Sequence, residues 1–78
     1  MIEEGCRVRI VFLMKTDTKE TNLQVGSIGT VVHVWERPEG RENVITVHFD
    51  DTELIPDDAL NSDDEGGYLM FESQLERI

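Results

Sequence analysis

The chain of 78 residues contains one cysteine, Cys6. A single thiol forms no internal disulfide and builds no zinc site by itself, so a disulfide scaffold is excluded and a cytoplasmic location is the simplest reading. No apolar run approaches the roughly 20 residues that a membrane-spanning helix needs. The opening MIEEGCRVRI places acids where a signal peptide carries bases, so no export signal is expected. Aromatics number five, which barely supply both a core and an aromatic groove. The largest gap is in positive charge. Residues 42–76 hold eleven acids and no Lys or Arg, whereas residues 1–41 hold six acids and six bases. The formal net charge is -10.

That imbalance bears on partners. Affinity for nucleic acid rests on neutralising phosphates with Lys and Arg, so direct nucleic-acid binding is disfavoured. A solvated acidic face keeps a small protein soluble and monomeric, and the same face can dock on a basic partner. Size adds a further bound. A domain this short buries only about 60% of its unfolded surface, which leaves little room for a deep catalytic cleft.

What is present reads as strands. In Cys6–Leu13, Cys6, Val8, Ile10 and Phe12 share one face and Arg7, Arg9 and Val11 the other, the period of a half-buried strand. The Thr-rich MKTDTKETNLQVG that follows has no apolar helical stripe and reads as a long loop. Ser27–Trp35 and Val44–Phe49 form the next two strands. Pro38 and Gly40 punctuate the turn between them, which makes a hairpin. The acidic DDTELIPDDALNSDDEGG is a long surface excursion with a short helical turn at 57–61. Tyr68–Phe71 is a fourth strand, ESQ a 3₁₀ turn, and Leu75–Ile78 a fifth strand. The expected core is Val8, Ile10, Phe12, Val31, Val34, Ile45, Val47, Phe49 and Leu75. Trp35 and Tyr68 are candidate exposed anchors.

Gly26 and Gly29 raise the question of a phosphate loop. Such a loop opens a helix and needs a Lys followed by Ser or Thr. Here Thr30, Val31, Val32, His33 and Val34 follow, so the segment begins a strand. Gly26 is expected at positive φ, and Gly29 at a bulge or close backbone approach.

Taken in order, the blocks GCRVRI, VGSIGTVVHV, VITVHFDD and FESQLERI resemble small SH3-like barrels. The layout is similar to KOW-type barrels and to the photosystem I subunit IV barrel. The segment NLQVGSIGTVVHV with VHFDD also resembles the SH3-like insert of RecD-type and related helicases, and the pattern occurs in small phage and bacterial proteins. The resemblance implies an all-β, five-stranded SH3-like barrel, residues 1–78 as one domain, with a long acidic loop before the fourth strand. The chain lacks the ATPase motifs of those helicases and the basic surface of a KOW domain. By resemblance to small phage proteins, it would act as an inhibitor that imitates the charge of nucleic acid.

Candidate chemistry is sparse. Asn61–Glu72 has a partial calcium-loop register, with Asn61, Asp63, Glu65, Gly66 and Glu72 at ligand or turn positions, but Asn opens it and no helices flank it. His33 and His48 lie within strands without a converging nucleophile, and Cys6 begins an apolar face, so no catalysis, metal or cofactor is expected. The expected function is a non-catalytic module that binds a protein with a basic surface through Asp50, Asp51, Glu53, Asp57, Asp58, Asp63, Asp64 and Glu65. The alternatives are a nucleic-acid-binding barrel that uses Arg7, Arg9, Lys15, Lys19, Arg37 and Arg41, and a structural subunit of a larger assembly.

Overall fold

The computed structural model describes residues 2–56, 58–59, 61–62 and 67–78. Along the chain come β1 (Arg7–Ile10), α1 (Lys15–Glu20), β2 (Ile28–Trp35), β3 (Val44–Phe49), a 3₁₀ turn (Thr52–Leu54), β4 (Tyr68–Phe71), a second 3₁₀ turn (Glu72–Gln74) and β5 (Leu75–Arg77). The strands form one antiparallel sheet in the order β4-β3-β2-β1-β5. Among the described residues the fold is mostly β with one short α-helix. The ladder itself does not close, since β4 and β5 are its two edges.

The core follows the alternation. Val8, Ile10, Val31, Ile45, Val47, Phe49 and Leu75 are buried, and Val34 packs against them half-buried. Arg7 and Arg9 point outward from β1. Both Val31 and Val34 face inward although three residues apart. A bulge permits this: Val31 pairs with Val47 and His33 with Thr46, leaving Val32 as the extra residue. Gly29 is needed for close approach. A Cβ there would sit 2.7 Å from Val47 Cγ1, 2.8 Å from the His48 carbonyl oxygen and 2.9 Å from Phe49 Cα. Gly26 has the expected positive φ, 99°.

Three expectations fail. The Thr-rich segment is not all loop, because α1 occupies Lys15–Glu20. Its one buried residue is Asp17, a carboxylate, so no apolar period announces the helix. Phe12 is not core. The strand ends at Ile10, the Val11 N–H bonds to the Gln74 carbonyl, and the Phe12 ring is 58% exposed. Tyr68 is not an exposed anchor; it is fully buried. The expected helical turn at 57–61 includes Asp57 and Leu60, which lie outside the described residues.

The acidic excursion contributes to the core as well. Leu54 and Ile55 pack against it, Ala59 is buried in it, and the Leu54 carbonyl accepts the Asn22 N–H at 2.7 Å. These contacts tie the connection after β3 to the one after α1.

Candidate functional site

The buried polar cluster orders everything around it. Asp17 accepts three hydrogen bonds: from the Tyr68 hydroxyl at 2.7 Å, from Gln74 Nε2 at 2.7 Å and from the Met14 N–H at 3.0 Å. Buried carboxylates persist only when satisfied in this way. Burial pushes the Tyr68 phenol well above its ordinary range, and the hydrogen bond to Asp17 adds to the shift. Gln74 works in both directions. Its Oε1 accepts the outward Phe71 N–H at 3.0 Å, and its Nε2 also reaches the Phe12 carbonyl at 3.2 Å. The Thr21 hydroxyl donates to the Asp17 carbonyl at 2.6 Å and accepts the Leu23 N–H at 3.1 Å, which ends the helix and turns the chain inward to buried Leu23.

Beside this cluster lies a groove. Two adjoining cavities of about 320 Å³ and 410 Å³ share Met14, Arg37, Phe71 and Gln74. Phe12, Arg41 and Glu42 line one end, Leu69 and Val44 the other. The Arg37 guanidinium lies 5.8 Å over the Phe71 ring, a cation–π distance. On the neighbouring sheet surface the Trp35 indole N–H donates to the Thr46 hydroxyl at 2.9 Å, and His33 stacks edge-on against Trp35 with centroids 4.2 Å apart.

Of the eight acids expected to meet a partner, Asp50, Asp51, Glu53 and Asp58 are described and all four are exposed; Asp57, Asp63, Asp64 and Glu65 lie outside the described residues. Asp50 is engaged with Arg7 by two parallel hydrogen bonds of 2.8 Å and 2.6 Å. The Arg7 hydrogen bond holds the Asp50 carboxyl below the usual carboxylate range, against an opposing effect of desolvation. Asp51 accepts the Glu53 N–H at 3.1 Å.

The six bases divide as well. Arg7 is tied to Asp50 and Arg9 to Glu76 at 2.8 Å. Arg37 and Arg41 sit on the groove, and Lys15 and Lys19 are exposed on α1. The structure therefore does not gather the six into one patch.

His33 and His48 are exposed. His33 Nδ1 lies 3.4 Å from Glu4 Oε1. Cys6 packs half-buried against the core. In the calcium-loop register, Asp63, Glu65 and Gly66 lie outside the described residues, residues 68–71 form β4, and Glu72 opens the second 3₁₀ turn. No helix among the described residues is long and apolar enough to cross a membrane.

No protein-family model matches the chain, and neither a curated protein nor a solved structure matches it.

The residues that sequence reasoning missed are Asp17, Gln74 and the groove. Asp17 is one acid among seventeen, and no spacing distinguishes it. The one legible signal is the Gln of ESQ, a polar residue set immediately before the closing strand.

Proposed function

We propose that the chain is a non-catalytic SH3-like β-barrel that binds another protein and presents its acidic stretch, Asp50–Glu65, to a basic surface. The observation that carries this reading is the distribution of charge. Two of the bases nearest the acidic stretch and the C-terminal strand, Arg7 and Arg9, are already paired, while Asp51, Glu53 and Asp58 are exposed with no Lys or Arg paired to them among the described residues. Crowded like charges oppose compaction, so folding alone gives no reason for them. The stretch is nonetheless anchored through Leu54, Ile55 and Ala59, beside which Glu53 and Asp58 are exposed.

Barrel closure is supported by side chains rather than by a ladder. Gln74 spans from the free edge of β4 to the loop after β1, and Asp17 and Tyr68 fill the same seam. In this reading the protein acts as a cytoplasmic monomer, and a DNA- or RNA-handling protein whose basic site it occupies is the partner class that its charge fits best. A nucleic-acid-binding role would draw on Arg7 and Arg9, which are engaged.

The test is kinetic. A partner captured from the host at low salt is bound by the parent and by a variant with Asp57, Asp58, Asp63 and Asp64 changed to Asn. The variant should associate more slowly, and the difference should shrink as salt rises, because exposed charges are screened over about 10 Å at 0.1 M. Equal association rates would refute the assignment.

A further inference from the structure

We propose that the groove between the loop after β1 and the edge of β4 binds an extended acidic peptide segment that carries an apolar side chain. This second site does not rest on the reading above, although Asn61 of the acidic stretch lines one end of it.

The floor is apolar and open. Phe12 is 58% exposed, Met14 42% and Leu69 38%, and half-buried Phe71 joins them. Single exposed apolar residues need no explanation, but a contiguous set along one groove marks a binding surface. The combined cavities are of the size that takes one or two side chains of a ligand.

The rim selects the charge of the occupant. In a chain of seventeen acids, Arg37 and Arg41 stand on this groove, and no carboxylate among the described residues pairs with either. Glu42, which lines the same end as Arg41, accepts the Ser73 hydroxyl at 2.7 Å. Guanidinium groups take carboxylates in a two-point geometry, and Arg37 is already steadied over Phe71. The backbone edge is closed to strand addition, since the outward N–H groups of Leu69 and Phe71 are taken by the Asn61 carbonyl and by Gln74 Oε1. Recognition must therefore run through side chains. A single-stranded nucleic acid also offers anions and stacking faces, but a polyanion is repelled by the net charge of -10 far more than a peptide with a few acids.

The probe is a library of random short peptides, selected on the intact protein at low salt, with an oligothymidylate of similar length in parallel. Selected peptides should carry an aromatic or aliphatic residue flanked by Asp or Glu. Their amide shifts should map to Phe12–Met14 and Leu69–Phe71. Changing the acids of a selected peptide to their amides should weaken binding about tenfold or more, and so should the double variant Arg37→Gln/Arg41→Gln. The exposed substitution Phe12→Ser, checked for folding by circular dichroism, should weaken binding as well. The amide peptides keep the test valid if a variant fails to fold. The proposal is overturned if no peptide is enriched, if proline-rich or basic peptides are enriched instead, if the amide peptides bind as tightly, or if the oligothymidylate binds in preference.

Discussion

Removing the Asp17 carboxylate should nearly unfold the protein, whereas replacing it by its amide should not. A chain of this length is expected to be stable by about 4–12 kcal/mol, from roughly 0.05–0.15 kcal/mol per residue. In Asp17→Ala, the Tyr68 hydroxyl, Gln74 Nε2 and the Met14 N–H lose their acceptor at once. The hydroxyl suffers most because Tyr68 is fully buried. Gln74 keeps the Phe12 carbonyl, and Met14 is exposed enough to meet water. Hydrogen bonds to a charged group are worth about 1.5–3 kcal/mol each, and a buried donor left unpaired costs about 1–3 kcal/mol. Relief of the buried charge offsets part of this. The net loss should be about 3–5 kcal/mol, in line with the loss of one partner from a buried charged contact.

Asp17→Asn keeps the shape and one acceptor. The amide oxygen can take Gln74 and Met14 while its NH₂ donates to the Tyr68 oxygen, since a hydroxyl rotates to suit its neighbours. Asn61, already hydrogen-bonded to Tyr68, can then offer its own amide oxygen to the phenol proton. A loss of about 1–2 kcal/mol is expected. Tyr68→Phe should fall between, at about 1.5–3 kcal/mol. The assay is urea unfolding followed by far-UV circular dichroism. With an m-value of about 1 kcal/mol/M for so small a chain, the Ala variant should lose about 3–5 M in midpoint or be unfolded without urea. An Ala variant that loses less than about 1 kcal/mol, or an Asn variant that loses as much as Ala, would refute the account of this cluster.

Gly29→Ala should cost about 1–3 kcal/mol in the same assay, because two of the three atoms that a Cβ would meet, the His48 carbonyl oxygen and Phe49 Cα, are backbone and cannot swing away. Val47→Ala should cost about 1–3 kcal/mol, whereas Phe12→Ala should leave the midpoint almost unchanged, and equal effects would contradict their exposures of 0% and 58%. Tyr68 sets an alkaline limit: its folded pKa is raised, so its contribution is full below the ordinary phenol value of about 10 and is lost as pH rises from there toward the folded value. Stability measured across that range should fall less steeply in Tyr68→Phe than in the parent.

How much of this was legible depended on whether a residue buries oil or a hydrogen bond. Val44–Phe49 and Tyr68–Phe71 are strands from end to end as the alternation predicts, and ESQ forms the expected 3₁₀ turn. Gly29 reads as a close approach because a strand interior gives glycine little other use. The bulge itself falls at Val32, and nothing in the run of residues 30–34 marks the break in period. The alternation of β1 continues through Phe12 and points to core, but the strand ends at Ile10. Nothing in the identity of residues 11–13 marks that stop. The partner that ends the strand, Gln74, lies sixty-two residues from Phe12. Asp17 was illegible for the same reason. Its burial depends on Tyr68 and Gln74, fifty-one and fifty-seven residues away.

The same distant pairings join the groove to the fold. Asp17 and Gln74 belong to the buried seam and also line one part of the groove. Gln74 holds the Phe12 carbonyl with one side-chain atom and the Phe71 N–H with another, so the two aromatic walls are set by one amide. An apolar side chain at that position would pack the seam but leave both backbone groups unpaired, and the walls would have no fixed separation. A polar seam therefore gives what a few more methylene groups would not: a defined distance across the opening. It also makes occupancy and stability inseparable. A ligand that bridges Phe12 and Phe71 would brace the two contacts that Gln74 makes, and by mass action it would stabilise the whole chain by RT ln(1 + [L]/Kd).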